Sequence, residues 1–218
     1  MGEPLNNYDA VRSAVQMMTD PRFFGLGRQQ VTISTVGIIP RILQLPDDLP
    51  GVSLALSLHA PNQTLRQSIV PSARAYKLER LMEAVKEYER RSGLRVFVEY
   101  VVLSGVNDGL EQAHELGQLL QGHSAVLNLI PWNPVYSPDG PKFAAPSEQA
   151  LSAFQQVLRG QYGISTTVRQ EKGQDISGAC GQLVIEMGKA KVCGGEAEAD
   201  GRGDARRVRD IEELWPDV

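Results

Sequence analysis

The chain has 218 residues, 42% of them hydrophobic and 22% charged, with a net charge of −4. That content suits one sizeable globular domain. It offers no global positive field for nucleic acid, and no run reaches the roughly 20 apolar residues of a membrane span.

The acidity is local. Residues 194–218 hold eight acids and four arginines, so residues 1–193 balance at eighteen of each sign. Met1 to Ala10 is polar and carries two acids, which is no secretory signal. Cys180 and Cys193 are the only cysteines. They are too few for a disulfide scaffold or a four-thiolate metal site, and a reducing compartment is expected.

In chain order, helix-like and strand-like segments alternate. Asn7–Thr19 places Val11, Ala14, Val15 and Met18 on one helical face. Val31–Thr35 reads as a strand ended by Gly37, and Val52–Leu58 as a second, nearly all apolar. Leu78–Arg91 is a helix with Leu78, Leu81, Met82, Val85 and Tyr88 on its apolar face. Arg95–Leu103 is a third strand, rich in β-branched and aromatic residues. Leu110–Leu120 is helical, Ala125–Ile130 is a strand stopped by Pro131, Ser147–Arg159 is helical, and Ile164–Arg169 is a fifth strand. The tail beyond Cys193 has few apolar residues before Ile211 and is expected to be disordered.

Apolar strands alternating with helices predict parallel βαβ units, wound into a barrel or an open doubly wound sheet. In such folds the C-terminal strand ends build the site. Polar residues gather there: Ser34 and Thr35, then Ser57, Leu58, His59 and Ala60, then Asn107–Gly109, then Trp132 and Asn133. Each has an ordinary reading too. Ser34 and Asn107–Gly109 are turn formers, and a lone histidine is more often structural than catalytic. Cys180, flanked by Gly178 and Gly181, reads on its own as a buried, inert thiol.

Six strings change that balance. Gly2-Glu3-Pro4-Leu5, VTISTVG (31–37), SLHAPN (57–62), EYVVLSGVND (99–108), NLIPWNP (128–134) and DISGACGQL (175–183) occur in this order. Together they resemble the RlmN/Cfr family of radical S-adenosylmethionine (SAM) RNA methyltransferases. The resemblance runs from residue 1 to about 188. It implies an α/β fold, an incomplete (β/α) barrel of the radical SAM type. Residues 1–190 would be its partial core domain with a Cys-bearing C-terminal segment, holding strands 3–6 of the family barrel, and 191–218 a charged tail.

The resemblance also implies roles. Gly2 and Glu3 match the turn that holds the SAM amino group, where a carboxylate makes a charge-assisted hydrogen bond to ammonium. Ser34, the Ser57-Leu58-His59 turn and Asn133 match the other SAM contacts. Cys180 matches the cysteine that takes a methyl group from SAM as a thiolate, and Arg169 and Lys172 are cations that would lower its pKa. In the family, a 5′-deoxyadenosyl radical then takes a hydrogen from that methyl. The resulting methylene radical adds to carbon 2 (RlmN) or carbon 8 (Cfr) of adenine, and a second cysteine releases the product. The implied substrate is adenine in 23S ribosomal RNA, with transfer RNA as a second substrate. The implied cofactors are SAM and a 4Fe–4S cluster, with a flavodoxin-type electron donor as partner and no membrane.

One family element has no counterpart. The Cys-x3-Cys-x2-Cys cluster motif precedes the Gly-Glu-Pro turn in the family, and this chain begins within that turn. The expectation is a C-terminal part of the enzyme, without the first two barrel strands, the cluster ligands or the resolving cysteine, and inactive alone. A truncated gene model or fragment is favoured over a stand-alone protein. An incomplete barrel would also expose an edge near Val31–Thr35. The alternative function is an inactive remnant that binds RNA or a partner. A barrel hydrolase or isomerase using His59 as base ranks behind both, lacking a partner nucleophile. A cytoplasmic location is expected, with chloroplast or mitochondrion as alternatives.

Overall fold

A computed structural model describes residues 2–133 and 143–169. Five strands form one parallel sheet in the order β1-β2-β3-β4-β5. They are β1 (Thr32–Thr35), β2 (Ser53–Ser57), β3 (Val96–Val102), β4 (Ala125–Pro131) and β5 (Ser165–Val168). Six α-helices accompany them: α1 (Tyr8–Thr19), α2 (Ile39–Asp48), α3 (Gln63–Ile69), α4 (Leu78–Ser92), α5 (Leu110–Leu120) and α6 (Glu148–Gly160). A 3-10 turn, Pro4–Asn7, leads into α1.

Strand order equal to chain order decides between the two architectures. Each crossover moves one strand further in the same direction, so right-handed crossovers put every connecting helix on one face. A doubly wound sheet needs a reversal of strand order, and none occurs among the described residues. The result is a partial (β/α) barrel arc, with helices outside and the other face open.

Burial follows that arrangement. Ile33, Leu54, Leu56, Val96, Val98, Tyr100, Leu127 and Leu129 point to the helices and are buried. Leu81, Val85 and Tyr88 of α4 and Phe154 and Leu158 of α6 meet them. Tyr100 and Phe154 pack with ring centroids 5.6 Å apart. Along β3 the alternation is complete, with Val96, Val98, Tyr100 and Val102 buried and Phe97, Glu99 and Val101 more open.

Two helices, α2 and α3, have no counterpart in the periodicity reading. Helix α2 carries Pro40 at its start and Pro46 inside, which masks it as a turn-rich stretch. Pro40 sits where a helix N–H has no partner anyway, and Pro46 lies in the last turn. Helix α3 has seven residues, too short for its periodicity to register. The remaining elements match the sequence reading to within one or two residues at each end. The tail 191–218 lies outside the described residues. No described helix is long and apolar enough to cross a membrane.

Candidate functional site

The turn after β1 is held from both sides. Glu3 Oε2 accepts from the Val36 N–H at 2.8 Å, and Oε1 accepts from the Leu5 N–H at 3.0 Å. The start of the chain is thereby pinned to the end of the first strand. Thr35 Oγ1 accepts from the Gly37 N–H at 2.9 Å. Gly37 has φ +114°, and a Cβ there would lie 2.8 Å from Leu81 Cδ1. Both facts require glycine at this turn.

Beneath the turns lies a side chain that the sequence reading passed over. Arg66, on α3, is fully buried. Its Nε donates to the Leu58 carbonyl at 3.0 Å, and its Nη2 to the carbonyls of Val36 and of Ser57. One guanidinium therefore ties the end of β1 to the end of β2. Burial lowers its pKa to about 10, so it stays cationic at neutral pH. Its Nη1 has no partner among the described residues.

His59 follows β2 in a left-handed conformation, φ +61°, which is uncommon outside glycine and asparagine. Its Nδ1 accepts from the Val101 N–H at 3.1 Å. That bond assigns the ring proton to Nε2. Burial, and then the Arg66 charge, push the His59 pKa down to about 4, so the ring is neutral and Nε2–H is a donor. The backbone of His59 is fixed by Asn107, a fully buried side chain. Asn107 Nδ2 donates to the carbonyls of His59 (2.9 Å) and Val101 (2.7 Å), and Oδ1 accepts from the Leu103 N–H (2.7 Å). Asn107 is thus a strut between strand ends as well as a turn residue.

The residues singled out from sequence fall as follows. Gly2 is exposed and Glu3 half-buried at the β1 end. Ser34 is exposed and Ser57 half-buried, both on the open face. Leu58 is buried in the core; its N–H donates to the Glu99 carbonyl and its own carbonyl is taken by Arg66. Asn133 is half-buried two residues beyond β4, next to Trp132, which packs edge-on to Phe143 at 5.5 Å. The register aligns Val102 of β3 with Pro131 of β4, so the β3 and β4 ends share one rim of the sheet. Cys180 and Lys172 lie outside the described residues, while Arg169 is exposed just past β5.

The open face also holds polar side chains inside strands, which strand-end reasoning does not reach. Glu99 and Asn128 are half-buried there, with Asn128 Nδ2 donating to Glu99 Oε2 at 2.8 Å. The available signal was a lone charged or amide residue within an otherwise apolar strand.

A singly wound parallel arc with a polar rim defines the class, a partial (β/α) barrel. A solved radical SAM methyltransferase from Sphaerobacter thermophilus superposes with a TM-score of 0.77 at 43% identity, covering 84% of this chain and 52% of that one. Streptococcus suis SuiB bound to S-adenosylmethionine shares the fold alone, at 12% identity and a TM-score of 0.56 over 84% of this chain and 41% of that one.

Among curated proteins, ribosomal RNA large subunit methyltransferase N of Nitrosopumilus maritimus is 45% identical over 187 residues, 86% of this chain and 52% of its own length. The probable dual-specificity RNA methyltransferase RlmN of Symbiobacterium thermophilum is 44% identical over 182 residues, 84% of this chain and 48% of its own. No protein-family model matches. The chain is a homologue of the RlmN-type radical SAM methyltransferases. It spans about half the length of the curated relatives it matches.

Proposed function

We propose that this chain supplies the SAM-facing part of an RlmN-type RNA methyltransferase acting on adenine carbon 2 of 23S ribosomal RNA, with transfer RNA as a second substrate. The observation that carries the reading is the RlmN homology, at 45% identity over 86% of the chain. Its local support is the rim, on which the Glu3 carboxylate accepts from the Val36 N–H, the Ser57 carbonyl accepts from Arg66 of α3, and His59 Nδ1 accepts from the Val101 N–H.

The donor set suits SAM, an ammonium- and carboxylate-bearing nucleoside. Glu3 spends one lone pair of each oxygen on a backbone N–H, which leaves acceptor capacity for an ammonium. Ser34 and Ser57 offer hydroxyls on the open face, and His59 Nε2–H and Asn133 offer imidazole and amide groups just beyond the ends of β2 and β4. SAM, when bound, supplies an electrophilic methyl group. Arg66 holds the strand-end carbonyls so that the rim is ordered before ligand arrives, a preorganisation that lowers the cost of binding. Cys180 is the proposed methyl acceptor. Its thiolate attacks the sulfonium methyl, forming the S–CH3 bond while S-adenosylhomocysteine departs with the electron pair.

The 4Fe–4S cluster of the family needs three protein thiolates, and the chain has two cysteines in all. This chain by itself does not fit such a cluster. A flavodoxin-type electron donor and a cytoplasmic site of action, with an organelle as the alternative, belong to the same proposal.

The test is co-expression with the cluster-bearing portion of an RlmN relative, followed by peptide mass spectrometry. S-methylation at Cys180 is expected, and none in Cys180→Ala. An unmodified Cys180 beside a loaded cluster counts against the reading.

A further inference from the structure

The helix side of the arc carries a groove of about 760 Å³ between α2 and α4. Its floor is apolar, formed by Ile39 and Leu43 of α2, Tyr76 before α4, and Ala84 of α4. Its rim along α4 is charged, and the charge is polarised. Lys77 and Arg80 stand at one end, Glu83 and Glu87 at the other. Glu87 is held by Arg90. Lys77, Arg80 and Glu83 are exposed, and no hydrogen bond or ion pair among the described residues engages their side chains. From Lys77 to Glu87 the helix rises about 15 Å.

One segment of this chain matches that pattern. The RlmN likeness ends near residue 188, and Val208, Ile211, Leu214 and Trp215 lie beyond it. At about 3.6 residues per turn these four fall on one helical stripe, and Pro216 closes the pattern. Charge along the segment is polarised as well. Arg206, Arg207 and Arg209 come first, and Asp210, Glu212, Glu213 and Asp217 follow. An isolated helix this short is marginal in water, so its apolar stripe needs a surface. Laid antiparallel to α4, the arginines meet Glu83 and the acids meet Lys77 and Arg80. A parallel placement opposes like charges. The link is long enough. Residues 170–205 join β5 to the segment, and a random coil of that length spans on the order of 35 Å. The five-stranded sheet is only about 20 Å wide.

We propose that residues 206–217 dock as an amphipathic helix in the α2–α4 groove of the same chain, antiparallel to α4. Val208, Ile211, Leu214 and Trp215 then cover the apolar floor, the helix-in-groove mode of recognition.

Tryptophan fluorescence of the full chain tests this. The chain has two tryptophans, Trp132 and Trp215, so Trp132→Phe leaves Trp215 as the reporter. Its emission should be blue-shifted and shielded from iodide relative to a synthetic 204–218 peptide, at every protein concentration. Ile211→Asp should bring both readings to those of the peptide. Lys77→Glu with Arg80→Glu, at exposed positions where the fold is not at stake, should lose much of the shielding. Adding Glu212→Arg with Asp217→Arg should restore it. A Trp215 as exposed as in the peptide overturns the proposal. So does shielding that the Lys77 and Arg80 reversals leave untouched, which puts the segment on another surface. Shielding that vanishes on dilution also overturns it, because the groove then takes the segment of a second copy.

Discussion

Five backbone carbonyls and four N–H groups at or near the rim are held by the side chains of Arg66, Asn107, Glu3 and His59. These residues carry opposite charges or none, and each is placed where strand ends leave polar groups unpaired. His59 yields a pH prediction. Its folded pKa, about 4, lies below the ordinary 6.5. Between those values the unfolded chain binds a proton that the folded chain does not, so this contribution to stability is complete above the unfolded pKa and declines as pH falls toward 4. From about pH 7.5 to about pH 5 it amounts to roughly 2 kcal/mol. Urea denaturation at the two pH values should show that loss. His59→Asn tolerates the left-handed conformation, retains an acceptor for Val101 and does not titrate, so its slope should be shallower. An equal slope in the variant would remove His59 as the cause. The polar rim residues Ser34, Ser57 and His59 were legible because they lie at the ends of strand patterns, and Glu3 only through the Gly-Glu-Pro resemblance. Arg66 was not, because nothing in a heptapeptide helix says that three carbonyls from two other strands will surround its guanidinium.

At the level of elements, helix α5 shows how close packing is written into composition only after the fold is known. Gly117 is buried in α5, and a Cβ on it would lie 2.3 Å from the Tyr162 ring. The same tyrosine hydroxyl lies 3.2 Å from His114 Nδ1. Gly117→Ala is expected to destabilise by about 2 kcal/mol through overpacking. In a Tyr162→Ala background the sign should reverse, because alanine is up to about 1 kcal/mol better than glycine inside a helix. A double-mutant cycle by urea denaturation reads the coupling. A cost that persists without the tyrosine ring would mean that another contact excludes the Cβ. The apolar faces of α1, α4, α5 and α6 were readable from their 3.6-residue period. Helices α2 and α3 were not, since proline and short length remove that signal while tertiary packing of Ile42 and Leu45 still supports α2.

For the molecule as a whole, the sheet edges matter most. Among the described residues β1 pairs with β2 and with no other strand, and Phe97 is 37% exposed on the open face. A free parallel edge invites pairing with another chain. Sedimentation velocity should show self-association that rises with concentration and weakens in Thr32→Lys, which puts a charge on the edge strand. Association unaffected by that change would place the contact elsewhere.

The alternation of apolar strands and helices, and the polar residues just past each strand, came from the sequence alone, since periodicity and burial are local consequences of chain geometry. So did the likeness to RlmN, carried by strings such as SLHAPN and EYVVLSGVND. Two things required tertiary structure. Strand order settled a singly wound arc over a doubly wound sheet, because crossover direction is a relation between strands and not a property of any one. The Glu99–Asn128 pair and the Arg66 clamp exist only because the fold brings distant residues to one level, and a hydrogen bond between strands has no signature in either strand by itself.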